Sequence, residues 1–185
     1  MGVIYLGKQL ILSLAMSLDG FIADNEGGYD WIHGDGQHHL DTAMRWDYDA
    51  FLQGIDTVIM GRTCYDQKMH LDFAGKQVLV ATSHPPLKAE DVRFITEDLC
   101  GTVRTEKAKQ GKHIFLFGGG KVAAPLIEAD LVDRYIIGII PVLLGHGKPL
   151  FYPRPTSTPL TLDRYMVEEG VVVLDYLRHP VTQAE

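Results

Sequence analysis

Apolar residues gather along this chain in short, nearly unbroken runs, at 10–16, 57–60, 77–81, 92–95, 114–117, 135–144 and 171–177. Runs of that length with so little polar interruption read as strands covered on both faces, the mark of a parallel sheet. Between most of them the apolar spacing lengthens to that of a helix, which predicts helices over 38–53, 62–69, 98–110 and 121–129. Strand alternating with helix, then a strand-rich ending, predicts an α/β fold with a mainly parallel sheet and an antiparallel edge at its C-terminal end. The 185 residues suit one domain, 1–185. Gly145-His146-Gly147-Lys148-Pro149 and 153–159 are loops by composition.

Ligands of such sheets lie beyond the carboxyl ends of the strands, so glycines at strand ends are informative. Three stand out: Asp19-Gly20, Gly61-Arg62-Thr63 and Gly118-Gly119-Gly120-Lys121. Glycine lets backbone N–H groups approach a ligand closely, and the helix start behind it adds partial positive charge, a combination that suits phosphate. The alternative for the glycine triple is tight packing. Val122 follows Lys121 where a P-loop needs Ser or Thr, and Ser17-Leu18-Asp19-Gly20 stands where a Rossmann glycine fingerprint would open the first strand. Two cradles on a non-Rossmann sheet predict a dinucleotide. Ser83 and His84, ending a further strand, would meet its adenosine end and, with Arg62, favour NADP(H) over NAD.

Charge narrows the partners. Seventeen basic against 24 acidic residues leave a net charge of −7, with no basic field for nucleic acid or an anionic membrane. A small-molecule partner is expected. Cys64 and Cys100 form no C-x-x-C pair, which suits a reducing compartment, the cytoplasm, and speaks against a thiolate zinc site. His33, His38 and His39 lack ligand spacing, so no metal is expected. The run 10–16 is too short to span a membrane, and the apolar stretch 3–6 ahead of Lys8 does not fit a signal peptide.

Chemistry is expected from a carboxylate. On a helix over 38–53, Leu40, Ala43, Met44, Asp47 and Phe51 share one stripe. Asp47 would then sit among apolar neighbours, where desolvation favours the neutral form that donates a proton or pairs with a heterocycle's N–H edge. The alternative is an acid at the edge of the stripe, paired or wetted. The glycine- and aromatic-rich loop 24–36, with Trp31, His33 and Asp35, would close over a substrate, or Trp31 would plug the core edge. Cys64 reads as a packed thiol.

Leu14-Ala15-Met16-Ser17-Leu18-Asp19-Gly20, Val58-Ile59-Met60-Gly61-Arg62-Thr63, Phe117-Gly118-Gly119-Gly120, and Pro141-Val142-Leu143-Leu144-Gly145 with Pro149-Leu150-Phe151 occur in that order. Together they resemble the dihydrofolate-reductase-like superfamily. Within it the chain is most similar to the reductase (C-terminal) domain of the bifunctional riboflavin biosynthesis protein RibD and to its small stand-alone relatives. The resemblance spans nearly the whole length and implies a three-layer α/β/α fold, NADPH-dependent reduction of a planar nitrogen heterocycle, and a homodimer. It places nicotinamide near Ala15, Ser17 and Gly20, and phosphates at Gly61, Arg62 and Thr63 and at Gly118, Gly119, Gly120, Lys121 and Val122.

Trp31, Asp47 and Phe51 are the expected substrate contacts, Asp47 and Phe51 because dihydrofolate reductases are similar in spacing an acid and a Phe four apart on the helix before the Gly-Arg motif. The leading substrate is the 5-amino-6-(5-phosphoribosylamino)uracil type, with a dihydrofolate or pterin reductase and a non-catalytic NADP-binding protein as alternatives. The chain departs from the riboflavin reductases at Ser13, where they usually carry Lys, at Phe117, where they carry Glu, and in lacking their Asp-Asp-Pro stretch. All three departures fall on the substrate side.

Overall fold

A computed structural model describes residues 7–86 and 92–178; the apolar stretch 3–6 lies outside them. The first half builds β1 (Leu10–Ser17), β2 (Phe21–Ala23), α1 (Tyr48–Gln53), β3 (Ile55–Gly61), α2 (Arg62–Asp66), a 3-10 turn at Met69–Phe73 and β4 (Gln77–Ala81). There follow β5 (Arg93–Ile95), α3 (Leu99–Lys107), β6 (His113–Gly118), α4 (Gly120–Glu128), β7 (Arg134–Ile140), β8 (Lys148–Pro149), β9 (Leu160–Glu168) and β10 (Val171–Arg178). One eight-stranded sheet runs β5-β4-β3-β6-β1-β7-β10-β9, and β2 pairs with β8 in a small second sheet. The strands from β5 through β7 are parallel, and β10 runs antiparallel to both β7 and β9. This is the expected α/β fold with its antiparallel edge.

Both faces of the sheet are covered, which is why the central runs are so uniformly apolar. One face packs Leu10, Leu12, Ile59 and Leu116 against Val103 of α3 and Ala123, Leu126 and Ile127 of α4. The opposite face packs Ile11, Val58, Met60 and Phe115 against Phe73 and, at its rim, Phe51, Leu52 and Tyr65. Helices lie on both faces, so the fold has three layers.

Three expectations are corrected. The helix over 38–53 forms only at Tyr48–Gln53. Residues 35–42 hydrogen-bond to the β9–β10 turn instead: Asp35 N–H to the Glu169 carbonyl at 2.8 Å, Thr42 N–H to the Val167 carbonyl at 3.0 Å, and Glu169 N–H to Asp41 Oδ1 at 2.8 Å. Asp and Thr side chains compete in this way for backbone groups that a helix would need. The apolar stripe is consequently absent, with Leu40 and Met44 exposed. The helix over 62–69 stops at Asp66, and Lys68 adopts a left-handed φ of 61° ahead of the 3-10 turn. The run 135–144 leaves the sheet after Ile140, and its tail turns to meet the β1–β2 connection, where Leu18 N–H reaches the Val142 carbonyl at 2.9 Å.

Candidate functional site

A cavity of about 1090 Å³ opens at the carboxyl ends of the parallel strands. That is large for a small-molecule site, for which ~300–1,000 Å³ is usual. Its floor is the sheet, with Ser13 and Ala15 of β1, Phe115 and Phe117 of β6, and Gly138 of β7. The starts of α2 and α4 form one wall, and Trp46, Tyr48, Met69 and Asp72 another. Gly27, Tyr29, Ile32 and His33 from the segment after β2, with Lys148 and Pro149 of β8, border the mouth.

The glycine triple joins β6 to α4. Gly118 takes a φ of 139°, which a side chain would oppose, and the Gly118–Gly119 peptide is cis. A Cβ on Gly120 would run into the Pro149 carbonyl oxygen, so only glycine lets that segment lie against the helix start. Gly119 is the N-cap of α4 and supplies no side-chain hydrogen bond. The N–H groups of Gly120 and Lys121 have no partner inside the helix and lie on the cavity wall with Gly118, whereas Val122 N–H turns back to the Gly119 carbonyl at 3.0 Å. Gly61 lies close by, its Cβ position 3.0 Å from Val122 Cγ2, so the two glycine-marked strand ends converge.

Arg62 and Thr63 also line the cavity. The Arg62 guanidinium meets Asp66 Oδ1 at 2.7 Å and the His84 carbonyl at 2.5 Å, and Ser83 Oγ contacts His84 Nδ1 at 2.8 Å. Arg62, Ser83 and His84 therefore form one cluster at the end of β4, although Ser83 and His84 are exposed and stand off the cavity wall.

Other expected contacts are placed differently. Ala15 lines the cavity, but Ser17 and Gly20 do not. Ser17 is fully buried; its hydroxyl donates to Asp19 Oδ1 at 2.6 Å and accepts from Phe21 N–H at 3.0 Å. Asp19 in turn accepts from Leu144 N–H at 3.1 Å and Gly145 N–H at 2.7 Å. The Ser17 hydroxyl, more than the two backbone donors, holds the Asp19 carboxyl below its usual range. The motif Ser17-Leu18-Asp19-Gly20 thus staples the β1–β2 turn to the segment after β7.

Asp47 is an exposed N-cap whose Oδ1 accepts from Ala50 N–H at 2.8 Å, and it does not reach the cavity. The burial on which its proton-donor role rested is missing, because the helix starts after it. Phe51 sits edge-on to Phe115 at 5.0 Å in the core layer, off the cavity wall. Trp31 also stays off that wall; its Nε1 is buried without a partner among the described residues, while the neighbouring Ile32 and His33 line the cavity.

The sequence model of the RibD C-terminal domain matches residues 8–72 and 59–172. The chain belongs to the RibD C-terminal domain family. YwjB, an uncharacterised protein of Bacillus subtilis strain 168, is 32% identical over 179 residues, covering 92% of this chain and 98% of that relative. Among solved structures, a putative riboflavin biosynthesis protein from Shewanella sp. PV-4 is 28% identical with a TM-score of 0.75, covering 93% of this chain and 99% of that one. A dihydrofolate reductase from Enterococcus faecalis, complexed with NADP(H) and RAB-propyl, is 18% identical with a TM-score of 0.62 over 96% of this chain and 100% of that one. The last likeness is of fold, and it bears out the dihydrofolate-reductase-like architecture expected from the motifs.

Within this family fold, the cavity residues that sequence reasoning missed include the polar side chains of Tyr48, Asp72 and Lys148, and Ser13 as a contact in its own right. A signal existed for Ser13, the one hydroxyl inside the apolar run 10–16. None existed for Asp72, which depends on the 3-10 turn, or for Lys148, which depends on the β2–β8 pair. Burial, and secondarily the Asp72 charge, raises the Tyr48 phenol above its ordinary value, so it stays protonated at neutral pH. Burial likewise pushes the Cys64 thiol up, in keeping with a packed thiol on the cavity wall. Among the described residues no group of three or more His, Cys, Asp or Glu is placed to hold a metal, and no helix is long and apolar enough to cross a membrane.

Proposed function

We propose that this protein is an NADPH-dependent reductase of a planar nitrogen heterocycle. The observation that carries the reading is the α4 start: an uncapped helix end beside Gly118 and Lys121, converging with Arg62 in one cavity roomy enough for a dinucleotide and a second ring. The residues fit the cofactor. The crowding at Gly120 excludes a side chain there, and Lys121 has no ion pair among the described residues. Gly118 to Val122 would hold one phosphate and Thr63 with Arg62 another. The adenosine end would lie toward Ser83 and His84, and the nicotinamide over Ala15. NADPH, when bound, supplies the hydride.

The chain's own part is orientation and exclusion of water. The flat strip at Ala15 and Gly138, paired across β1 and β7, lets a ring lie close to the sheet. Tyr48 keeps its proton and offers a hydrogen bond from the wall. The relatives named for riboflavin biosynthesis support a substrate of the aminopyrimidine class, and the pterin class fits the same floor. The reading includes a homodimer, which would cover Leu162 and Tyr165, both exposed on the edge strand β9.

The test is NADPH oxidation with a panel of aminopyrimidines and pterins, with NADH run in parallel. Turnover with NADPH well above NADH is expected, and Arg62→Ala should shrink that preference about tenfold by removing a guanidinium from the phosphate end. Thermal stabilisation by NADPH without turnover of any panel member would favour the non-catalytic binder. No stabilisation by either nucleotide would contradict both.

A further inference from the structure

The cavity has two chemically different ends. Its lysines and arginine belong to the strand-end side: Arg62 and Lys121 open α2 and α4, and Lys148 Nζ lies next to Gly27 at the mouth. The other end lies two residues earlier along β1, at Ser13. That side chain is only 8% exposed, lines the cavity, and makes no hydrogen bond among the described residues. An unpartnered hydroxyl on a cavity wall is open to a ligand that enters the cavity.

Two more polar groups share this end. Asp72 is placed here by its neighbour Phe73, whose ring meets Phe117 at 5.1 Å and Phe115 at 5.9 Å. Tyr48 is placed here through Phe51, which it overlies at 6.2 Å and which abuts Phe115 at 5.0 Å. Both line the cavity, and neither makes a hydrogen bond or ion pair among the described residues. The three polar groups sit on an aromatic and aliphatic surface made by Phe115, Phe117, Trp46, Ile136 and Val173.

We propose that this end takes a planar heterocycle bearing no phosphate, with Ser13 and Tyr48 hydrogen-bonding its polar edge and Asp72 accepting from its N–H donors. The inference rests on the reductase reading and names its substrate class. A phosphate placed here would stand beside the Asp72 carboxylate and meet like charge. The one basic ring on this part of the wall, His33, has Nδ1 turned to the Gly34 carbonyl at 2.9 Å. Flat aromatic walls favour a ring, and a carboxylate facing N–H donors gives the stronger, charge-assisted kind of hydrogen bond.

The experiment titrates the NADP-saturated protein with three probes: a phosphoribosylated aminopyrimidine, the same compound dephosphorylated, and a pterin. The dephosphorylated pyrimidine or the pterin should bind at least about tenfold more tightly than the phosphorylated probe. Asp72→Asn should weaken the phosphate-free ligand about tenfold or more and leave NADP affinity unchanged, with Ser13→Ala and Tyr48→Phe moving the same way by less. Asp72 is exposed, so its replacement leaves the core intact. Preference for the phosphorylated probe, binding of none of the three, or indifference to Asp72→Asn would overturn the inference while leaving NADP binding standing. Failure to bind NADP at all would remove the reductase reading and this inference together.

Discussion

Helices α1 and α4 handle their first N–H groups in opposite ways. At α1 the Asp47 carboxylate accepts from Ala50 N–H and sets a negative charge at the helix start. At α4 the N-cap is Gly119, which has no side chain to offer, and the free N–H groups stand on the cavity wall beside Lys121. Helix α3 sides with α1, since Asp98 Oδ1 accepts from Gly101 N–H at 2.8 Å. A capped start has little to offer an anion, and an uncapped one facing a cavity is a binding site. The carboxylate that looked chemical serves local structure, and the residue with no side chain at all marks the site.

The comparison can be broken most severely at Gly120. A valine there would push Pro149 and Leu150 away from α4, because their carbonyl oxygens occupy the space of the new side chain. Overpacking of this kind costs about 1–3 kcal/mol, so melting should drop and stabilisation by NADPH should disappear. Unchanged melting in both conditions would mean that the segment does not press on the helix start.

On the α1 side the effects are smaller and of another kind. Asp47→Ala should lower stability by about 1 kcal/mol through loss of the cap, while Asp47→Asn should keep it. Turnover should be unchanged in both. A large loss of turnover in the stable Asn variant would return Asp47 to the chemistry and undo the comparison.

The smallest effect concerns the segment leading into α1. His38 Nδ1 lies 2.9 Å from Asp41 Oδ2, and Asp41 also holds Glu169 N–H on the β9–β10 turn. The Asp41 hydrogen bond raises His38 above its ordinary value of 6.5. A raised folded-state value means that the contact stabilises fully below the unfolded value and is lost as pH rises through the folded one. Hydrogen exchange at Thr42, Val167 and Glu169, corrected for intrinsic rates, should therefore quicken through that window, and His38→Ala should abolish the pH dependence.

How much was legible follows the reach of the interactions involved. Parallel strands covered on both faces announce themselves as apolar runs, whereas the order β6-β1-β7 is set by strand pairing that the runs do not carry. Glycine at a strand end is equally local, because Gly118 and Gly120 are set by backbone geometry and close approach, and both line the cavity. What failed depended on distant partners. The 38–53 periodicity was overridden by hydrogen bonds from Asp41 and Thr42 to a turn more than a hundred residues away. Strand β9, whose Leu160 and Leu162 alternate with polar residues and remain exposed, left too weak a pattern to see. Asp72 and Tyr48 reach the cavity only because an aromatic cluster around Phe115 sets the 3-10 turn and α1 on the sheet.

The most direct test is to give α4 the kind of cap that α1 has. In Gly119→Asp the new Cβ meets only Ile22 Cδ1 at an ordinary 3.5 Å, and φ of −94° suits any residue. The new carboxylate would occupy the free N–H groups and repel phosphate. Calorimetric titration with NADPH should show binding to the natural protein and a loss of at least about a hundredfold in the variant, with melting in the absence of nucleotide unchanged or higher. Equal NADPH affinity in the two proteins would show that the uncapped start of α4 is not where the cofactor binds.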